Sequence, residues 1–154
     1  MSGRFVQRGG GWVLGQCVLL LAVGALGWWF CGATARPVVT GAGVLLLVVS
    51  AVCGVAGAVA LGRNLTPFPR PSSQTRLVRH GVYRRIRHPL YTAVVSAALG
   101  WALVRTSWPA GLAALLLALW LDAKARREER WLRERFPDYA AYAARVRRFV
   151  PGIY

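Results

Sequence analysis

The sequence predicts an all-α integral membrane protein with about four transmembrane helices, the last two forming a tight hairpin that continues into a cytoplasmic C-terminal helical extension. Two observations support this fold class. Of the 154 residues, 56% are hydrophobic, and they come in long blocks rather than at strand or helical spacing. The formal net charge of +15 lies beside those blocks, as in the cytoplasmic loops of membrane proteins. A soluble nucleic-acid binder would not carry such blocks, so nucleic acid is not an expected partner.

The apolar blocks define four predicted spans within one membrane domain, residues 1–154. Segments 12–30 and 38–61 are each long enough to cross a hydrocarbon core of about 30 Å. The first is too long for a signal peptide, and a second span follows it closely. Segments 90–104 and 108–121 are shorter and are joined by Arg105, Thr106 and Ser107, which predicts a hairpin.

Two charged regions surround this hairpin. Residues 63–89 form a basic loop with seven arginines and both histidines of the chain. Residues 122–154 contain no helix breaker before Pro137, so one helix of about 108–136 should leave the membrane as a charged rod. Both regions, together with Arg4 and Arg8, fall on one side of a four-span protein, and the positive-inside rule makes that side and both termini cytoplasmic.

The predicted topology brings residues 80–91 and 122–132 together at the cytoplasmic face as a candidate pocket. Arginines and histidines line one wall, and carboxylates line the other, since all five acidic residues lie between 122 and 138. Such a pocket suits a ligand with both charge signs and a flat ring, and a cation over an aromatic face gains about 0.5–2 kcal/mol. S-adenosylmethionine has all of these parts. The aromatic residues near the pocket are Tyr83, Tyr91, Trp131, Tyr139 and Tyr142.

No metal is expected in this pocket. The three cysteines lie in or at the end of apolar spans, away from the histidines and without metal-ligand spacing, so we interpret them as packing thiols. They are Cys17, Cys31 and Cys53.

A family resemblance rests on four motifs in the C-terminal half, over about residues 75–151. They are Gly81-Val82-Tyr83, then Arg87-His88-Pro89-Leu90-Tyr91, then Glu128-Glu129-x-x-Leu132, and the tail FPDYAAYAARVRRFVP. In this order and spacing the chain resembles the isoprenylcysteine carboxyl methyltransferase family and the related integral-membrane phospholipid methyltransferases. The resemblance implies transfer of a methyl group from S-adenosylmethionine to a lipophilic acceptor. That acceptor would carry a carboxylate or an amine on a lipid or an isoprenoid-like molecule, and it would reach the site from the bilayer.

The resemblance also implies roles for individual residues. Lys124 stands where the carboxyl methyltransferases use an arginine for the substrate carboxylate, although lysine lacks the bidentate fork. Ala93 stands where the family often has glycine. His88 or Tyr91 is the candidate catalytic base, needed only for an acceptor that arrives protonated. The implied cofactor contacts are Thr75, Arg76, Leu77, Val78, Tyr83, His88, Pro89, Leu90, Tyr91 and Glu128.

Simpler interpretations stand beside these roles. At least two of Arg84, Arg85 and Arg87 are expected to be lipid-headgroup anchors, each worth about 1 kcal/mol near an anionic surface. Glu129 and Glu134 are expected to form helix-surface ion pairs worth about 0.2–0.5 kcal/mol each. Tyr139 and Tyr142 would fit an interfacial aromatic belt.

Two other functions stay open on the sequence alone. Membrane lipid or sterol double-bond reductases carry a similar RHPxY-type segment and bind NADPH, although they usually have more spans. A non-catalytic membrane module of the same fold is the other alternative.

Overall fold

The computed structural model describes residues 9–32, 36–70 and 76–154, and within them the protein is helical. The predicted all-α membrane fold is confirmed, since each of the four apolar segments forms a helix. Two short 3₁₀ turns lie in the basic loop, Gly62–Asn64 at its start and Gly81–Arg84 near its end. The α-helices are α1 Gly10–Trp29, α2 Pro37–Leu61, α3 Pro89–Val104, α4 Trp108–Arg135 and α5 Tyr139–Arg145.

Local sequence explains where the hairpin helices begin and end. Prolines occupy the first turns of α3 and α4, where a missing N–H is tolerated. Ser107 caps α4, its Oγ accepting a hydrogen bond from the Ala110 amide at 3.4 Å. The helix ends at Arg135, and its C-cap Phe136 is extended because helical geometry is disfavoured for the residue before Pro137. One continuous helix therefore joins the apolar segment to the charged one, as predicted.

Three of these helices are long and apolar enough to cross a membrane, namely α1, α2 with its 3₁₀ extension, and α4. Helix α3 has 16 residues and measures about 24 Å, which is shorter than a hydrocarbon core of about 30 Å. The fourth crossing and the cytoplasmic position of both termini therefore stay predictions. Arg4 and Arg8 lie outside the described residues.

Helix α3 sits at the centre of the arrangement, in contact with α1, α2 and α4. Its approach to α2 depends on two glycines. A Cβ on Gly43 would lie 2.9 Å from the carbonyl oxygen of Gly100, and a Cβ on Gly100 would lie 2.8 Å from that of Gly43. The backbones thus meet directly, as small residues allow in membrane helix pairs. Leu117 and Leu121 of α4 fill the core on the other side of α3.

The chain after α5 folds back along the start of the hairpin. A parallel bridge pairs Ile86 with Arg147. The amides of Arg87 and His88 donate to the carbonyl oxygens of Arg147 and Arg148 at 2.8 and 3.0 Å. Residues 146–154, which we call the tail, therefore cover the segment that leads into α3.

Candidate functional site

A cavity of about 120 Å³ opens where the start of α3, the middle of α4 and the loops after α2 meet. Most of the residues predicted to bind a cofactor are on its wall. Of the predicted cofactor contacts, Pro89 is not on the wall and Thr75 lies outside the described residues; Lys124, the predicted substrate contact, is not on the wall either. The predicted residues that line the cavity are Arg76, Leu77, Val78, Tyr83, His88, Leu90, Tyr91 and Glu128.

Glu128, Tyr91 and His88 form one connected group on this wall. Pro89 opens α3, so His88 at the N-cap and Tyr91 in the first turn lie three residues apart on one side of the helix. Their rings stack with centroids 5.2 Å apart and planes 5° from parallel. The Tyr91 hydroxyl donates to Glu128 Oε2 at 2.7 Å, and His88 Nδ1 lies 3.9 Å from the same oxygen.

Glu129, expected to be a surface residue, is instead buried, so that expectation is wrong. Its side chain is 2% exposed, compared with 26% for Glu128. Oε1 accepts hydrogen bonds from Arg87 Nε at 3.0 Å and Arg148 Nε at 3.0 Å, and it lies 3.2 Å from His88 Nε2. The helix-surface partner Arg133 reaches no closer than 3.9 Å. Glu129 is therefore the centre of a buried charge network, because helix, loop and tail all converge on it.

The two arginines on Glu129 are held by further contacts. Arg84 and Arg85 are exposed to solvent, whereas Arg87 is partly buried. Arg87 Nη1 donates hydrogen bonds to the carbonyl oxygens of Ala143, at 2.8 Å, and of Val146. Arg148 reaches across from the tail to Asp122 at 3.0 Å. Burial lowers the pKa of Arg148, but the hydrogen bonds and negative charge of Glu129 outweigh it, so the pKa is raised overall. Arg148 thus stays charged and locks the tail to α4.

Three buried tyrosines, Tyr83, Tyr139 and Tyr142, also line the cavity. Tyr139 and Tyr142 are buried on α5, which overturns their interpretation as an interfacial belt. The Tyr142 hydroxyl donates to the Tyr83 carbonyl oxygen at 2.6 Å. Burial raises the pKa of Tyr142 to about 12 and raises those of Tyr83 and Tyr139 further. These phenols are therefore neutral hydrogen-bond donors around the cavity at physiological pH.

An extended segment, residues 76–79, forms the rim. The Asn64 side chain holds it at one point, since its amide donates to the Arg76 carbonyl and accepts from the Arg76 amide, both at 3.3 Å. Among the described residues, no hydrogen bond engages the backbone of Leu77 or Val78. Both residues line the cavity.

Lys124 lies behind Tyr91, away from the cavity wall, and is 1% exposed. Its Nζ donates to Gln16 Oε1 at 2.7 Å and to the Pro67 carbonyl at 3.1 Å, and it lies 5.2 Å from the centre of the Tyr91 ring. Two of the three ammonium donors are thus engaged in hydrogen bonds, and the Tyr91 ring lies within cation–π distance. A substrate carboxylate could reach Lys124 only by displacing some of the groups that bury it.

Sequence reasoning missed Asn64, Glu129 and Arg148 as parts of the site. For Glu129 a signal was present, since it is the second glutamate of the EExxL motif. For Arg148 there was none, because nineteen of the twenty basic residues are arginine. The part of the chain that the structure covers holds no cluster of three metal-ligating side chains.

Comparison with known proteins found a matching family and several similar proteins. The sequence model of the phospholipid methyltransferase family matches residues 38–139. Probable protein-S-isoprenylcysteine O-methyltransferases from Oryza sativa subsp. indica and subsp. japonica are each 31% identical over 116 residues, which is 72% of this chain and 60% of theirs. The cobalt-zinc-cadmium resistance protein CzcN of Cupriavidus metallidurans is 38% identical over 78 residues, half of this chain and 36% of that protein. The chain thus spans about 60% of the length of the rice relatives.

Proposed function

Because this chain belongs to the phospholipid methyltransferase family, we propose that it is an S-adenosylmethionine-dependent methyltransferase that acts on a lipophilic acceptor in the membrane. The observation that carries the proposal is the bond between Tyr91 and Glu128 on the cavity wall. It joins the RHPxY and EExxL motifs, 37 residues apart, at a single site.

The groups on the wall fit the parts of S-adenosylmethionine. Among the described residues only Tyr91 donates to Glu128, on Oε2, which leaves Oε1 for the ribose hydroxyls or for a positive charge. The backbone of Leu77 and Val78, which line the cavity, would pair with the adenine edge, and the exposed Arg76 side chain would meet the carboxylate. When bound, this group supplies an electrophilic methyl on a sulfonium. The protein's part is then positioning and the exclusion of water, by the buried tyrosines and the tail.

The acceptor is proposed to arrive from the bilayer, because Leu61, Phe68 and Leu90 give the cavity an apolar side next to α2 and α3. An amine or a carboxylate on a lipid or isoprenoid-like molecule would serve. Transfer of labelled methyl groups to vesicles of phosphatidylethanolamine and to a prenylated cysteine separates these classes. The cavity is proposed to face the cytoplasm, since Arg63, Arg84 and Arg85 are exposed at that end of the helices.

Thermal unfolding of the purified protein with S-adenosylmethionine, S-adenosylhomocysteine or NADPH tests the cofactor. A ligand at 100 times its dissociation constant stabilises the folded state by about 2.7 kcal/mol. We expect stabilisation by the two adenosyl ligands, its loss in Glu128→Ala and His88→Ala, and its retention in Glu134→Ala, an exposed carboxylate on the same helix. Stabilisation by NADPH alone would instead indicate a reductase, and no stabilisation would indicate a non-catalytic module.

A further inference from the structure

Glu129 has no part in the proposed cofactor contacts, yet it lies directly behind His88. Its carboxylate is at the opposite edge of the imidazole from the cavity group formed by Tyr91 and Glu128. Oε1 is 3.2 Å from His88 Nε2, while His88 Nδ1 lies 3.9 Å from Glu128 Oε2. The two ring nitrogens therefore face two different carboxylates, one buried and one on the cavity wall.

The hydrogen bonds of the His88 ring indicate which of its two nitrogens carries the proton. An ionised carboxylate only accepts hydrogen bonds, so His88 Nε2 must be the donor to Glu129. Arg87 and Arg148 already supply two positive charges to Glu129, which balance it without an imidazolium. On the cavity side Glu128 Oε2 is engaged by the Tyr91 hydroxyl. Nδ1 is then the nitrogen that keeps its lone pair.

The charges around this ring come from every element that packs against it. Helix α4 contributes Glu128 and Glu129, the loop contributes Arg87, and the tail contributes Arg148. Lys124 is more distant, on the Tyr91 ring. The two arginines contact Glu129 and keep its carboxylate ionised, so that it can only accept the hydrogen bond that Nε2 donates.

We propose that Glu129 is a positioning residue that holds His88 with Nε2 protonated, so that Nδ1 can take a proton from an amine acceptor. This inference rests on the proposed function and narrows its acceptor to an amine, because a carboxylate has no proton to release. The proton would move from the acceptor nitrogen to Nδ1, and the nitrogen would keep the electron pair with which it bonds to the methyl carbon. The bond between that carbon and the sulfonium sulfur would break, and its electron pair would stay on the sulfur of the departing thioether. A carboxylate that fixes the tautomer of a catalytic histidine is a general device for aiming the basic nitrogen.

Nitrogen-15 NMR of the histidine rings measures the tautomer directly. The chain has two histidines, and His80 is exposed, so His80→Gln leaves His88 as the single imidazole signal. In this background we expect long-range couplings that show Nε2 protonated and Nδ1 bare. Protonation of Nδ1 alone, or of both nitrogens, would overturn the proposal without any change to Glu129.

Glu129→Gln in the same background tests the cause, because an amide can either donate to Nε2 or accept from it. We expect the ring to change to a mixture of the two tautomers, whereas the matched control Arg133→Gln, which changes the exposed neighbour of Glu129, should leave the ring as it was. An unchanged ratio in Glu129→Gln would remove Glu129 from this role. If Glu129→Gln does not fold, the measurement with Glu129 intact still decides the tautomer.

Addition of S-adenosylhomocysteine separates this inference from the function on which it rests. The NMR result on the free protein needs no ligand, so it stands even where the ligand fails to bind and the methyltransferase proposal is lost. When the ligand binds, we expect the Nδ1 resonance to shift more than that of Nε2. Binding that leaves Nδ1 unmoved would contradict its position at the reacting centre.

Discussion

Glu129→Gln should lower the free energy of unfolding by about 3–5 kcal/mol, the usual cost of removing one partner from a buried charge network. The substitution leaves Arg87 and Arg148, whose side chains are 10% and 16% exposed, without their shared negative charge. A helix-surface pair with Arg133 would predict a loss of only about 0.2–0.5 kcal/mol. The two interpretations therefore differ by roughly tenfold in a single measurement.

Glu128→Gln is the matched control, because it removes the adjacent carboxylate of the same helix. Within the described part of the chain its side chain makes one hydrogen bond, to Tyr91, so the expected loss is about 1 kcal/mol. At about 2–4 °C per kcal/mol for a chain of this size, Glu129→Gln should lower Tm by about 6–20 °C and Glu128→Gln by no more than about 4 °C.

A double-mutant cycle with Arg148→Gln completes the assay. Glu129 and Arg148 share two hydrogen bonds, which either single substitution removes. The free energy of unfolding of the double variant should therefore fall by clearly less than the sum of the two single decreases. Equal shifts for Glu128→Gln and Glu129→Gln, or additive losses with Arg148→Gln, would refute the buried network.

Three further outcomes are expected. Gly43→Ala should destabilise by about 1–3 kcal/mol because its Cβ would meet the backbone of α3, whereas Gly41→Ala, with nothing within 4 Å, should be neutral in the same unfolding assay. Asn64→Ala should weaken S-adenosylhomocysteine binding by about three- to tenfold in calorimetry, as the rim at Arg76 loses both hydrogen bonds; unchanged affinity would exclude the rim from the site. The pKa of Tyr142 rises from 10 unfolded to about 12 folded, so its contribution to stability is complete below pH 10 and lost as the pH approaches 12. Tm should therefore fall between pH 10 and pH 12, and this fall should be smaller in Tyr142→Phe. An equal fall in the variant would mean that other groups cause the loss of stability.

Local patterns predicted the helices well and the partners of charged side chains poorly. The long α4 followed from an unbroken run up to Pro137, and each predicted span forms a helix. Glu128 and Glu129 are adjacent, however, and no local rule decides which of them is buried. That depends on Arg148, which the tail brings back to α4, and on Arg87 from the loop before α3.

Lys124 shows the same limit. Its position in the motif predicted a substrate contact, which stays a prediction. Its partners Gln16 and Pro67 are 108 and 57 residues away along the chain. The packing of α1 on α4 brings Gln16 to Lys124, and the loop after α2 brings Pro67. Apolar periodicity does not specify the rotation of one membrane helix against another. The helices could therefore be predicted from the sequence, but the contacts between side chains on different helices could not.

The fold-back of the tail has a consequence for how the protein is made. Ribosomes add about 5–20 residues per second, so Arg148 is synthesised about one to four seconds after Glu129, which precedes it by 19 residues. A chain that ends between these two residues would lack both hydrogen bonds that Arg148 donates to Glu129 and the carbonyl oxygens that accept from the amides of Arg87 and His88. Completion of the buried charge network therefore has to wait for the last residues to be synthesised, and a translation arrest between Glu129 and Arg148 would leave Glu129 without its partner from the tail.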